Sequence, residues 1–178
     1  MKYFEELRSA MEYLAQNPRV VFLGQAVAVP GTAMTTTLAM VPDYRKIELP
    51  VAEEMQMGMS IGLALGGLVP VTFYPRWNFL LLAANQLVGH LDKISQMSQG
   101  GYNPKVIIRT SIGSQKPLHP QCQHVGDFTD AFRLMLTTVD VIRLDEPEDI
   151  MSAYQKALER TDGKSTILVE YGDYYAEK

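Results

Sequence analysis

Cysteine is almost absent from this sequence, since Cys122 is the only one among 178 residues. A lone cysteine cannot form an internal disulfide, and it favours a reducing, cytoplasmic setting. One cysteine and three scattered histidines give no zinc-binding spacing. The sequence also lacks a G-x-G-x-x-G or G-x-x-x-x-G-K-[ST] phosphate loop and a G-x-S-x-G nucleophile elbow. We therefore expect any chemistry to need a borrowed cofactor or a second chain.

Positive charge and long apolar runs are also scarce. The chain has 16 basic against 20 acidic residues, which gives a net charge of −4 and a pI near 5.4. Binding to nucleic acid normally needs a basic face, so we expect no nucleic-acid partner. The most apolar stretch, Phe79 to Ala84, is followed by Asn85 and Gln86, far too soon to cross a membrane.

Short apolar runs alternate with longer segments of helical character. Six runs predict buried strands: Val20–Leu23, Lys46–Leu49, Val69–Phe73, Val106–Arg109, Val141–Leu144 and Thr166–Val169. The helical segments are an opening helix with Phe4, Leu7, Met11 and Leu14, followed by Glu53–Leu65, Leu80–Met97 and Glu148–Glu159. This alternation predicts a doubly wound, mainly parallel six-stranded α/β sheet flanked by helices. Such sheets bind ligands beyond the carboxyl ends of their strands, so the loops after the first four strands are candidate sites.

The segment Pro50–Gly58 follows the second predicted strand and starts a helix with two adjacent carboxylates, Glu53 and Glu54. Acidic residues in a first helical turn are favoured by the exposed amide groups and the helix dipole, and they need no function there. The alternative is that one of them serves a ligand pocket. Adjacent helix residues point in different directions, so at most one of the two can face a given pocket.

Three glycines lie on one face of the same helix, because Gly58, Gly62 and Gly66 are spaced four residues apart. Each internal glycine costs roughly 1 kcal/mol relative to alanine, so three on one face suggest a packing reason. Close contact inside the domain and a subunit interface are both consistent with this pattern.

Two further loops carry candidate side chains. The aromatic residues of Pro75–Phe79 follow the third predicted strand, where they either stack on a flat ligand ring or cap the core. The loop from Leu118 to Gly126 belongs to a connection that is long for a compact domain, and such loops are usually functional or disordered. It contains His119 and His124, and histidine changes charge most readily near neutral pH.

Taken in order, these segments resemble the amino-terminal, pyrimidine-binding domain of the beta subunits of 2-oxo-acid dehydrogenases. They are more distantly similar to the middle domain of transketolases. The likeness covers nearly the whole chain and is carried by Arg19–Gln25, Pro50–Glu53, Gly58–Ala64, Asn78-Phe79, Asn85-Gln86, Val106–Thr110 and Gln123-His124.

The resemblance implies a role in binding thiamine diphosphate for the matched residues. Glu53 is expected to hydrogen-bond the aminopyrimidine ring nitrogen and to stabilise the imino tautomer that activates the thiazolium carbon, and a carboxyl group with this role is expected to be buried. Phe79 is expected to stack on the pyrimidine ring. His124 is expected to assist proton transfer, with His119 as its rival in the same loop. The other residues of the implied cofactor pocket are Gln25, Asn78 and Gln86.

The resemblance also implies a divided cofactor site. We expect residues 1–178 to form a single pyrimidine-binding domain, with neither a C-terminal transketolase-type domain nor a diphosphate-binding domain. The Gly-Asp-Gly and distant Asn that hold magnesium and the diphosphate in this superfamily are missing, and Gly172-Asp173 lies too close to the end to serve. A separate subunit with that motif is the expected partner, in an assembly of two copies of each chain built around the glycine helix.

The implied activity, in the presence of that partner, is decarboxylation of a 2-oxo acid or transfer of a ketol or acyl unit. The alternative is a non-catalytic domain that keeps the fold and an interface, and that regulates or scaffolds its partner. An unrelated flavodoxin-like nucleotide binder needs a phosphate loop that the sequence lacks, and fold likeness alone does not establish function.

Overall fold

The six predicted strands form one sheet in which all five pairings are parallel. In the computed structural model, which describes residues 2–29, 31–116 and 119–176, the strands are β1 (Val20–Gly24), β2 (Lys46–Glu48), β3 (Val69–Tyr74), β4 (Ile107–Ile112), β5 (Val139–Arg143) and β6 (Ser165–Tyr171). Their order across the sheet is β2-β1-β3-β4-β6-β5. The direction in which successive strands are added to the sheet therefore reverses at β1, because β2 lies on one side of it and β3 on the other. The predicted doubly wound α/β architecture is confirmed.

The helices that connect the strands are mostly those that the sequence predicts. They are α1 (Tyr3–Ala15), α2 (Ala33–Thr36), α3 (Glu53–Leu65), α4 (Trp77–Leu82), α5 (Ile94–Met97), α6 (Thr129–Met135) and α7 (Pro147–Glu159), with a π-helix at Asn85–Leu91 and 3₁₀ turns at Asp43–Arg45 and Gly172–Tyr175. The bounds of α3 agree with the prediction. The helices α2 and α6 were not predicted, because elements of four and seven residues are too short to show a clear periodicity.

The predicted helical segment over residues 80–97 is helical but not continuous, since α4, the π-helix and α5 follow one another there. The buried carboxylate of Asp92, between the π-helix and α5, accepts hydrogen bonds from the backbone N–H groups of Thr137 (2.8 Å) and Thr138 (2.6 Å). These bonds fix the break in the helix against the loop before β5. The prediction of one helix fails because periodicity contains no information about such distant partners.

Helices cover both faces of the sheet. On one face α1 and α7 pack together over a core that includes Leu7 and Tyr154. On the other face α3, α4, the π-helix and α6 enclose a core around Trp77 and Phe132, whose ring centroids are 4.9 Å apart. Burial on both faces explains why the strands read as continuous apolar runs. No helix in the described ranges is both long enough and apolar enough to cross a lipid bilayer.

A buried ion pair joins the neighbouring strands β4 and β6. Arg109 donates from Nε and Nη2 to the two carboxylate oxygens of Glu170, at 2.6 and 3.0 Å, and both side chains are fully buried. Tyr154 and Tyr175 each donate a hydroxyl hydrogen bond of 2.5 Å to the same carboxylate, and Arg109 Nη1 donates to Thr37 Oγ1 at 2.9 Å. Burial alone would lower the pKa of Arg109, but the Glu170 carboxylate raises it above its ordinary value. Arg109 is thus held charged, and both side chains are hydrogen-bonded inside the core.

Replacing Arg109 by methionine should destabilise the chain strongly, because Glu170 would keep a buried charge without its counter-ion. We expect Arg109→Met to lower the free energy of unfolding by about 3–5 kcal/mol, measured by urea denaturation. Arg8→Met is the matched control, since Arg8 pairs with Glu5 and Glu12 on the exposed face of α1 and such pairs contribute about 0–1 kcal/mol. Equal losses in the two variants would contradict the central role of the buried pair.

Candidate functional site

A cavity of about 510 Å³ opens at the carboxyl ends of the central strands. Its walls come from the turn after β1, the start of α3, the β3–α4 junction, the segment after β4 and the 3₁₀ turn that follows β6. The cavity lies beside β1 and β3, where the order of the strands reverses. Ligands of doubly wound sheets bind at such points. The site is therefore where the strand pattern predicts it.

The two adjacent carboxylates at the start of α3 have different surroundings. Glu53 lines the cavity and is half-buried, and its carboxylate accepts no hydrogen bond from the described part of the chain. Glu54 is exposed and lies outside the cavity lining, where it accepts hydrogen bonds from Asn85 Nδ2 (3.3 Å) and Gln86 Nε2 (3.5 Å). Only Glu53 is thus free to bind a ligand in the cavity. Its burial is less complete in this chain than the resemblance implies.

Phe79 lines the same cavity and lies against His124. Their ring centroids are 5.3 Å apart with an angle of 38° between the planes. His124 is half-buried, and its Nδ1 atom is buried without a hydrogen-bond partner in the described part of the chain. His119, in contrast, is exposed, and its Nδ1 accepts a hydrogen bond of 3.0 Å from the backbone N–H of Gln121. Of the two candidate histidines, His124 is the one that contacts a residue of the cavity wall.

The other residues of the implied cofactor pocket are divided. Gln25 lines the cavity from the turn after β1. Asn78 precedes Phe79 on α4 but is absent from the lining, because successive helix residues point about 100° apart. Gln86 is also outside the lining and bonds to Glu54 instead. The structure therefore brings Glu53, Phe79 and Gln25 to one cavity, and it does not bring Asn78 or Gln86 there. Leu118, the first residue of the predicted loop from Leu118 to Gly126, lies outside the described residues.

Several lining residues received no role from the sequence, among them Gln56 and Arg76. Gln56 is buried, and its Nε2 donates hydrogen bonds of 2.8 Å to Thr72 Oγ1 and to the carbonyl oxygen of Phe73. Its position three residues after Glu53, on the same face of α3, could have identified it. Arg76 follows β3 and is half-buried. No local sequence signal identifies it, because its side-chain hydrogen bonds all go to distant residues.

A parallel doubly wound sheet with a cavity at its switch point defines a ligand-binding α/β domain. Residues 2–175 match the family described as "Transketolase, pyrimidine binding domain". The chain belongs to this family, which confirms the resemblance drawn from its sequence.

Curated relatives include the "Pyruvate dehydrogenase E1 component subunit beta" of Mesostigma viride, which is 33% identical over 119 residues, or 65% of this chain and 36% of that protein. The mitochondrial protein of the same description from Drosophila melanogaster is 30% identical over 125 residues, or 66% of this chain and 34% of that protein. The chain thus spans about a third of the length of the curated relatives it matches.

Solved transketolase structures share the fold. One is a "Split gene transketolase, inactive beta4 tetramer", with a TM-score of 0.66 and 17% identity over 94% of this chain and 50% of that chain. Another is transketolase from Campylobacter jejuni, with a TM-score of 0.72 and 15% identity over 94% of this chain and 25% of that chain. Sequence identity at this level supports the architecture and not the activity.

Glycine at position 24 is required by the wall of the cavity. Gly24 has a φ of +152°, and a Cβ there would lie 3.1 Å from both Cβ and the carbonyl oxygen of Phe73 and 3.3 Å from Nε2 of Gln56. Gly24→Ala should therefore lower the free energy of unfolding by about 1–3 kcal/mol, measured by urea denaturation.

Gly62→Ala is the matched control, since a Cβ at position 62 meets no atom within 4 Å. Removing a glycine from the interior of α3 should raise the stability of the isolated chain by about 0.5–1 kcal/mol. A Gly24→Ala chain as stable as the unaltered one would show that the contact with Phe73 and Gln56 does not constrain the cavity.

Proposed function

We propose that this chain supplies the pyrimidine-binding half of a thiamine-diphosphate site and that Glu53 is its cofactor-activating carboxylate. The observation that carries the proposal is that Glu53 and Phe79 line one cavity at the switch point of the sheet. A flat, nitrogen-containing ring fits these walls, because they offer an aromatic face and a carboxylate without a hydrogen bond in the described chain. The buried Gln56 amide supports the same wall beneath them.

Thiamine diphosphate, when bound, supplies a carbon nucleophile that adds to the carbonyl group of a substrate. The Glu53 carboxyl group would hold the cofactor and exchange a proton with it, and Phe79 would bind its ring. Gln25 provides a polar side chain at the wall formed by the turn after β1. His124, which lies against Phe79, would move protons at the substrate. These residues bind and orient the cofactor, and the protein supplies electrostatics and geometry.

The magnesium ion and the diphosphate belong, in this proposal, to a separate subunit that carries a Gly-Asp-Gly and a downstream Asn. Two names support a divided enzyme, since the relatives are named as subunits and one structural neighbour as a split gene transketolase. The half-buried state of Glu53 in the chain alone also supports it, because a facing subunit would complete the burial.

Gly58 and Gly62 on one face of α3, with Gly66 at its C-cap, support self-association, and two copies of each chain would form a heterotetramer. A Cβ added at Gly62 would meet no atom within 4 Å, and a Cβ added at Gly58 would make only an ordinary contact, 3.9 Å from Gln86 Oε1. Close packing inside the domain therefore does not explain Gly62. Met55 and Leu65, which lie on the same face, are each 44% exposed and offer apolar surface to a second helix.

The reaction that we favour is decarboxylation of a 2-oxo acid, ahead of ketol or acyl transfer. The sequence identity to proteins named as pyruvate dehydrogenase subunits supports this order. The cytoplasm remains the proposed location on the strength of the exposed, unpaired Cys122.

Replacing Glu53 by glutamine should abolish turnover and leave assembly intact, since the amide keeps the shape but cannot exchange the proton. We expect kcat of the complex with the co-purified partner to fall by at least about 10²–10⁴-fold, the usual contribution of acid–base catalysis. Glu54→Gln is the matched control and should retain activity, because Glu54 contacts Asn85 and Gln86 outside the cavity.

Steady-state turnover and size-exclusion chromatography of the two complexes measure these effects. Normal turnover by the Glu53→Gln complex would reject the catalytic role and favour the non-catalytic alternative, a domain that regulates or scaffolds its partner.

Removing the Phe79 ring should weaken cofactor binding. A stacked aromatic contact contributes about 1 kcal/mol, so Phe79→Ala should raise the Kd for thiamine diphosphate in the complex roughly fivefold. Isothermal titration calorimetry with magnesium present measures this change. Leu81→Ala is the control, because Leu81 lies on the same helix, is 37% exposed and is outside the cavity lining. Equal affinities in both variants would assign Phe79 to the core alone.

A further inference from the structure

One arginine ties together the two ends of the segment that contains the candidate histidine. We call residues 113–116 and 119–124 the histidine loop. Arg76 Nη1 donates hydrogen bonds of 3.0 Å to the carbonyl oxygens of Gly113 and Ser114 at the start of this loop and of His124 at its end. A single guanidinium nitrogen therefore closes the loop.

Arg76 approaches the loop from a rigid part of the fold. It lies between β3 and α4, directly before the buried Trp77. Burial lowers the pKa of Arg76 and the nearby Asp173 carboxylate opposes this shift, but a guanidinium stays charged in proteins. Charge-assisted hydrogen bonds are roughly twice as strong as neutral ones, so a charged donor is well suited to hold backbone carbonyls.

The start of the loop is also held from its other side. Asp173, in the 3₁₀ turn after β6, accepts a hydrogen bond of 2.7 Å from the backbone N–H of Gln115. Gly113 has a φ of +81°, and a Cβ there would lie 3.2 Å from Asp173 Oδ2. The first residues of the loop are thus fixed between Arg76 and Asp173. Arg76 also bonds to the carbonyl oxygen of His124, so it holds His124 at a fixed position relative to these residues.

We propose that Arg76 is a positioning residue, which places the His124 imidazole against Phe79 by holding the carbonyl groups of the histidine loop. The contact between the two rings, with centroids 5.3 Å apart, is the product of this arrangement. The structural part of the inference stands on contacts within the chain, and its catalytic consequence rests on the proposed function of His124.

The first test measures the position of His124 in the full chain without cofactor. A histidine ring beside an aromatic ring has imidazole proton resonances displaced by the ring current, and His124→Gln assigns its signal among the three histidines. We expect Arg76→Met to move the His124 resonances to the positions that they take in Phe79→Ala. Arg8→Met, on the exposed face of α1, should leave them unchanged. An unchanged His124 signal in Arg76→Met overturns the proposal.

If the Arg76→Met variant does not fold, the same measurement is made on Arg76→Lys, which keeps the charge but not the planar guanidinium group. The His124 resonances of Arg76→Lys should lie between those of the unaltered chain and those of Phe79→Ala. His124 resonances in Arg76→Lys that are identical to those of the unaltered chain also overturn the proposal.

The second test uses the complex with the co-purified partner. A misplacement of about 1 Å can cost about 100-fold in rate, so Arg76→Met should lower kcat by about this factor with little change in KM, and added methylguanidinium should restore part of it. A rise in KM at constant kcat would show that Arg76 binds the substrate, and it overturns the positioning role. If His124 moves in Arg76→Met but the Glu53→Gln complex turns over normally, the positioning stands and the proposed function fails.

Discussion

The buried ion pair between Arg109 and Glu170 constrains both the sheet and the cavity above it. Two charges inside a core are stable only when they remain paired and hydrogen-bonded. Their other partners are Tyr154 of α7, Thr37 at the end of α2, and Tyr175 in the 3₁₀ turn after β6. Tyr175 itself lines the cavity, as does Met34 of α2. A change in the pair therefore alters two walls of the site as well as the contact between β4 and β6.

The strand order explains why residues far apart in the chain meet in one cavity. Parallel strands end at the same edge of the sheet, so the segments after β1, β2, β3 and β4 converge there. Gly24 and Gln56 show how closely they pack, since the glycine leaves room for an amide that bonds to the neighbouring strand. The fold thus brings these segments to one cavity, and in the proposed function a second protein surface completes the burial of Glu53.

The sequence predicts the fold well because hydrophobic periodicity and the residues that end each strand are signals within short segments of the chain. The bounds of α3 follow from such signals, and so does the place of Glu53 at its start. The sequence could have identified Gln56 as a lining residue, since it lies one turn after Glu53 on the same helix face. It could not have identified Arg76, because the side-chain hydrogen bonds of Arg76 go to residues 37 to 48 positions away. Asn78 and Gln86 were assigned to the pocket by resemblance, and side-chain direction on their helices places both outside its lining.

The surroundings of the carboxylates give a physical reason to assign the chemistry to Glu53. Glu170 accepts hydrogen bonds from Arg109 and two tyrosines, and Glu48 accepts bonds of 2.5 and 2.8 Å from backbone N–H groups of the turn after β1. Glu54 is engaged by two amides. These groups are occupied in holding the structure together. Glu53 lines the cavity, and no described residue donates a hydrogen bond to its carboxylate, which is therefore open to solvent and available to a ligand.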